Sequence, residues 1–327
     1  MKLPWDDGPL ELSILKERLS EETYQWLVED EEKQNQWKRE KEEEGATIDL
    51  FGAEEDDGEE HCNRVETWTS SRSHPDGFGG IYRHDKNTAD KQQPTNEEEG
   101  VTVQFIVSDA SGGHGDDVWA ASRHVSNLLA YPETCAELLD FKLTEGDGHP
   151  LNGKIFVELG AGAGLPSWTA LRCGASLVVC TDQRIPDRVR CLAEAAQRNF
   201  CICAESTANV FVAPHIWGDN VPNVLDKNEC DVVVAADCLY MPHFHNDLLL
   251  SIQNMIKPGG VALLPFAIHD TTKTDDDIWA IQSLASEKYG FTVDRLSSCQ
   301  LTPQAQNMHS KRALVHMLRL TKTKTTI

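Results

Sequence analysis

Glu158-Leu159-Gly160-Ala161-Gly162-Ala163-Gly164-Leu165-Pro166-Ser167 is the stretch on which the fold turns. It closes the apolar run Lys154 to Leu159 and opens a helical run, Leu165 to Arg172, in which Pro166 suits the first turn. A strand, a glycine turn and a helix in direct succession begin an α/β unit. Small residues in such a turn let a backbone approach a ligand closely, beside the free N–H groups of the helix start. A dinucleotide fingerprint would place its third glycine at position 165, which is Leu165, whereas the spacing of Gly160, Gly162 and Gly164 is G-x-G-x-G. Glycine turns also serve only to tighten packing, so the residues around this one decide its meaning.

Outward from it, apolar strand-like runs at 177–181, 209–213, 231–236, 261–266, 291–296 and 313–320 alternate with helical runs near 187–199, 245–255 and 276–289. That alternation predicts a seven-stranded, mostly parallel sheet with helices on both faces, its last two strands forming an antiparallel pair. Lys257-Pro258-Gly259-Gly260 reads as a tight turn into the fifth strand. The second strand delivers Asp182 to its carboxyl end, where open α/β sheets bind ligands and a carboxylate can hold both hydroxyls of a ribose; its plainer reading is a solvent-exposed loop acid. The fourth ends in Ala235-Ala236-Asp237-Cys238-Leu239-Tyr240, which brings Asp237 and Tyr240 to the same edge; the plainer reading makes Tyr240 core and Asp237 a helix cap. Trp119 and Trp217 either flank a ligand or are core. Cys238, His243 and His245 lack a fourth ligand at usual spacing, so no metal site is expected. Ser167 lacks the G-x-S-x-G elbow of a nucleophile. His269 and Asp270 face the substrate side, with a surface turn as the simpler assignment.

The first hundred residues hold 28 acidic and 12 basic residues, a net charge of -16 out of -23 for the chain. A polyanionic surface repels phosphate backbones and attracts basic protein patches, which disfavours nucleic acid as a partner. Residues 1–44 read as an acidic extension with weak, partly exposed helices, built on Leu12, Leu15 and Leu19 and on a second helix capped by Ser20. Residues 45–100 read as an acidic disordered linker. Val101, Val103, Phe105 and Val107 alternate as a strand does, so the folded domain is expected over 101–327. Ten scattered cysteines without a CxxC pair suit reduced thiols, and no apolar run approaches the length of a membrane helix. The expectation is a soluble, monomeric protein of the cytoplasm or nucleus, without membrane contact.

Val118-Trp119-Ala120-Ala121, Val157 to Ser167, Thr181-Asp182, Trp217-Gly218 and Ala236 to Tyr240 together resemble the family-16 lysine-methyltransferase-like group of class I methyltransferases. Pro186-Asp187 and Ile216-Trp217-Gly218 are most similar to its branch that methylates the N-terminus and lysines of elongation factor 1-alpha, a branch also called nicotinamide N-methyltransferase-like. The resemblance implies a Rossmann-like fold and S-adenosylmethionine as cofactor. Trp119, Glu158, Gly160, Ala161, Gly162, Asp182, Trp217 and Ala236 would contact the cofactor, and Asp237 and Tyr240 would line the acceptor channel. It further implies a protein substrate with an accessible lysine or N-terminus, such as a translation factor or chaperone. The rivals are a small-molecule amine acceptor, a dehydrogenase already weakened by Leu165, and a non-catalytic interaction module. The run from Tyr240 to His245 departs from the branch, which leaves the acceptor open.

Overall fold

Alternate residues of the central strands feed two different cores, and this fixes the architecture. Val178, Cys180, Val210, Val212, Val232 and Val234 point into one apolar cluster, while Val157, Leu159, Val179, Val233, Ala262 and Leu264 point into a second. A sheet apolar on both faces must be covered on both. The computed structural model describes residues 10–44, 64–72, 80–83, 100–107, 118–143, 146, 148–202, 208–269, 275–300 and 314–323.

Strands β1 (Arg64–Thr69), β2 (Gly80–Arg83) and β3 (Thr102–Val107) make a small antiparallel sheet in the order β2-β1-β3. Strands β4 (Ile155–Leu159), β5 (Leu177–Asp182), β6 (Asn209–Pro214), β7 (Cys230–Val234), β8 (Ile256–Phe266), β9 (Phe291–Gln300) and β10 (Leu314–Lys322) make the main sheet, ordered β6-β5-β4-β7-β8-β10-β9. This sheet is mixed: pairings from β6 through β8 are parallel, and β10 runs antiparallel between β8 and β9. The strand order reverses beside β4, so the carboxyl ends of β4, β5 and β7 border one crevice.

The helices are α1 (Leu12–Leu15), α2 (Glu21–Glu44), α3 (Ala120–Leu129), α4 (Pro132–Leu138), α5 (Leu165–Arg172), α6 (Pro186–Ile202), α7 (His245–Met255), α8 (Asp275–Trp279) and α9 (Ile281–Ser283). The bounds of α5 and α7 agree with the sequence reading. The helix expected over 276–289 is instead broken into α8, α9 and a five-residue π-helical turn, Leu284–Lys288. Lys257 to Gly260 lie within β8, where the register against β7 shifts between Cys230 and Val232, so a bulge replaces the expected turn.

The first hundred residues depart most from expectation. β1 and β2 lie inside the stretch read as disordered linker, and β1 pairs with β3 along its whole length. Trp68 of β1 is fully buried in the same cluster as Phe105, Leu165 and Trp168. Its burial, worth about 3 kcal/mol for so large a side chain, offsets the polar flanks that suggested disorder. The Asn199 side chain of α6 clasps Gln104 of β3 through both its backbone N–H and C=O. The boundary at 101 therefore cuts through a packed sheet.

The acidic extension is also built in. Leu10, Leu12, Leu15, Leu19 and Leu27 are buried in the first core. Leu19 bridges Val212 in parallel, covering the free edge of β6. Arg18 lies over the Phe200 ring, 3.8 Å from its centre. As expected, the Ser20 hydroxyl accepts the Thr23 N–H at 3.1 Å, but the helix it starts runs to Glu44.

Candidate active site

The glycine turn is held from below and from one side. Gly160, Gly162 and Gly164 all take positive φ, at 64°, 56° and 75°, a region that costs other residues about 1–2 kcal/mol. A Cβ on Gly160 would sit 2.8 Å from Cys238 Sγ and 3.1 Å from the Trp217 ring, so at this position glycine is also a matter of space. The Ala161 N–H donates to Thr181 C=O at 3.0 Å, stitching the turn to β5.

Glu158 lies beneath the turn rather than in the crevice. It is 1% exposed, and its Oε2 accepts the Ser167 N–H at 2.9 Å and the Ser167 hydroxyl at 2.5 Å. Burial pushes its carboxyl up to about 8, against the pull of those two bonds, with nearby Asp182 adding to the rise. The residue ties the strand end to the start of α5. That is a different task from the cofactor contact implied by resemblance.

Asp182 ends β5 with both oxygens engaged. Gly162 N–H donates to Oδ2 at 2.7 Å, Gln183 N–H donates to Oδ1 at 2.8 Å, and the Arg188 guanidinium lies 3.3 Å from Oδ1. Asp182 is 5% exposed, so it is no surface loop acid. A carboxylate offers about four acceptor sites, which leaves room for one further hydroxyl donor without displacing a partner.

Past the end of β7, Asp237 takes a left-handed φ of 58°, which among non-glycine residues Asp and Asn tolerate best. Its N–H donates to Pro265 C=O at 2.8 Å, and its Oδ1 accepts the Ala267 N–H at 3.0 Å. His269 Nε2 lies 2.9 Å from the same Oδ1. Oδ2 is buried and has no hydrogen-bond partner among the described residues. Leaving an acceptor so costs about 1–3 kcal/mol. Trp119, just ahead of α3, meets the His269 imidazole edge-on at 4.8 Å. His269 is thus part of the site and not a plain surface turn, while Asp270 lies outside the described residues.

The strand ends form one electrostatic unit. The Cys238 thiol is pushed well above its usual range by burial and then by Asp182, Asp237 and Glu158. Tyr240, half-buried, is raised first by burial and then by neighbours that include Asp182 and Asp237, while Arg188 opposes. Asp182 and Asp237 therefore face one small region of the sheet edge, with Glu158 buried beneath it. Such a crevice suits a cation and disfavours a pyrophosphate.

Asp182, Gly160, Ala161, Gly162, Trp217, Asp237 and Tyr240 are thus brought to one crevice. Ala236 joins it through its carbonyl, 3.4 Å from Cys238 Sγ. Trp119 reaches it through His269. A separate cleft of about 460 Å³ opens between Ser20, Trp26, Arg184 and the loop from Ala213 to Val224. None of Gly160, Asp182, Asp237 or Tyr240 lines it, so it is not the site.

A lysine methyltransferase family pattern matches residues 99–278, more than half of the chain. The chain belongs to the lysine methyltransferase family. Its similarity to the protein N-terminal and lysine N-methyltransferase of Schizosaccharomyces pombe is 27% identity over 52% of this chain and 69% of that protein. The Yarrowia lipolytica protein of the same name shares 25% identity over 74% of this chain and 87% of its own length. Among solved structures, magnesium protoporphyrin IX methyltransferase from Synechocystis aligns with a TM-score of 0.41 and 16% identity, over 62% of this chain and 86% of that one.

Membership makes the chain an S-adenosylmethionine-dependent methyltransferase with a Rossmann-like, mixed α/β fold. The residues fit that cofactor. Asp182 has capacity for a ribose hydroxyl beside the Gly162 backbone, and the Trp217 indole flanks Gly160. The carboxylates of Asp182 and Asp237 suit a sulfonium cation.

Proposed function

We propose that this methyltransferase acts on the amine of a protein, a lysine side chain or an N-terminus, in the cytoplasm or nucleus. The observation that carries the reading is the buried, unpartnered Oδ2 of Asp237, set on a rigid strand end among carboxylates. An amine N–H is the kind of donor that satisfies it. The names of the fungal relatives support the same acceptor class.

When bound, S-adenosylmethionine supplies an electrophilic methyl carbon next to a positive sulfur. The chain's residues do the rest by positioning and desolvation. Burial next to a cation favours the neutral, nucleophilic form of the amine, whose ordinary pKa is about 10.4 for lysine and about 8 for an N-terminus, while the Asp237 carboxylate pulls the other way. Asp237 Oδ2 accepts one N–H and turns the nitrogen lone pair toward the methyl carbon. Tyr240 walls the channel and excludes water. The proton shed by the ammonium leaves to solvent, and no strong base is called for.

The test is transfer of radiolabelled methyl from S-adenosylmethionine into extracts of cells that lack the enzyme, with mass spectrometry of labelled protein and a parallel assay on free pyridines and small amines. Label in methyl-lysine or a methylated N-terminus supports the proposal. Label confined to small molecules overturns it in favour of a small-molecule amine methyltransferase.

A further inference from the structure

We propose that His269 is a positioning residue: by holding Oδ1 of Asp237 it turns Oδ2 alone toward the acceptor amine. This rests on the reading of Asp237 given above and extends it to a residue on a different strand end. Asp237 is fixed to the end of β8 by two backbone bonds, its own N–H to Pro265 C=O and the Ala267 N–H to Oδ1. Those bonds fix the backbone and one oxygen, but a carboxylate is two-fold about its last torsion. With a single side-chain partner, either oxygen can take the Ala267 N–H, and the other points wherever the rotation leaves it.

His269 Nε2 lies 2.9 Å from Oδ1, within reach to donate to it as a second partner. Two donors on one oxygen define the carboxylate plane, and the remaining oxygen then has one direction. The bond requires the imidazole to carry its proton on Nε2, as the Nε2–H tautomer or the imidazolium. Trp119, edge-on at 4.8 Å and 76°, keeps the ring from turning away. The result is a short chain of contacts, Trp119 to His269 to Asp237, whose last member is the unpartnered Oδ2.

A plain staple between the two strand ends would have the same contacts, and the test separates the roles without an identified acceptor. Sinefungin is an S-adenosylmethionine analogue that carries an amine where the donor carries its methyl group, whereas S-adenosylhomocysteine has nothing there. Calorimetry on the full chain gives the ratio of their affinities in wild type, His269→Ala, His269→Asn, His269→Gln and Asp237→Asn. A charge-assisted hydrogen bond to Oδ2 makes wild type prefer sinefungin about tenfold. Asp237→Asn abolishes the preference. His269→Ala and His269→Asn, which is too short to reach Oδ1, bring the ratio near one with affinity for S-adenosylhomocysteine unchanged. His269→Gln, whose amide N–H still reaches, keeps most of it.

A ratio that stays at the wild-type value in both His269→Ala and His269→Asn, while Asp237→Asn loses it, overturns the role of His269 and leaves that of Asp237 standing. Equal weakening of both ligands in these variants marks a staple and overturns the proposal too. No preference in wild type, or an unchanged one in Asp237→Asn, overturns the assignment of Asp237 itself.

Discussion

Two aspartates end neighbouring parts of the same sheet and meet opposite conditions. Asp182, at the end of β5, receives two backbone N–H groups and a buried arginine. Asp237, just past β7, concentrates its partners on one oxygen and leaves the other buried, with no partner among the described residues. A carboxylate satisfied by its own chain is a structural member that also offers a residual acceptor. One left half-satisfied lowers stability and holds that deficit until a donor arrives. Substitutions at the two sites should therefore fail in different ways.

The largest effect is expected at Asp182. Asp182→Ala removes one member of a buried ion pair and the acceptor that anchors Gly162, a change of about 3–5 kcal/mol in stability. Chemical denaturation should show it, and calorimetry should show loss of S-adenosylhomocysteine binding. Asp182→Asn, which keeps an acceptor for the Gly162 N–H, should recover part of the stability. Equal, small losses in both variants would mean that Asp182 does not anchor the turn.

At Asp237 the signs separate. Asp237→Asn keeps an oxygen for Ala267 and His269, suits the left-handed backbone and removes a buried charge, so its free energy of unfolding should stay level or rise by about 1 kcal/mol. Methyl transfer should nevertheless fall by about 100-fold or more, the scale on which a misplaced reactant costs rate. A variant that is both destabilised and active would reverse the contrast between the two strand ends.

The glycine turn, Pro166 and the bounds of α5 and α7 were legible in the sequence because each signal is local. Asp182 and Asp237 were legible because the end of a buried strand is a place that topology reserves for ligands. Trp68 was not. Its strand is six residues long between acidic runs, and its partner Val103 lies far along the chain. The burial of Leu12, Leu15 and Leu19 was hidden for a related reason, since a few leucines among acids reveal a helix but not the free edge of β6 that they cover. His269 was noticed only as a turn residue, because its bond to Asp237 exists through the pairing of β7 with β8 and through no spacing within either.

Between the two aspartates, Gly160 tests how closely the crevice is built. Gly160→Ala places a Cβ at a φ of 64° and 2.8 Å from Cys238 Sγ, against the loop that carries Asp237. A loss of about 2 kcal/mol is expected from the dihedral and the contact together. Thermal unfolding measures the loss. Cofactor affinity should fall with it, because the turn cannot shift without moving Trp217 or Cys238. Unchanged stability would show that the turn has slack.

Glu158, the third carboxylate, gives the effect that depends on pH. Burial raises its carboxyl to about 8 in the folded chain, while the unfolded chain has the ordinary value near 4.5. Between those values the folded state keeps a proton that the unfolded state has released. The stability linked to this group is therefore complete below about pH 4.5, declines as pH rises, and has been lost once pH passes about 8. The slope is at most one proton, about 1.4 kcal/mol per pH unit. Glu158→Gln keeps an oxygen for the Ser167 donors and cannot ionise. The difference in stability between wild type and this variant should then drift against wild type from about pH 5 to about pH 8 and level off above. Taking the difference cancels every other titrating group. A flat difference would mean that Glu158 is already ionised in the folded chain, held by Ser167 as Asp182 is held by Gly162 and Arg188, and that Asp237 alone of the three carries an unmet demand.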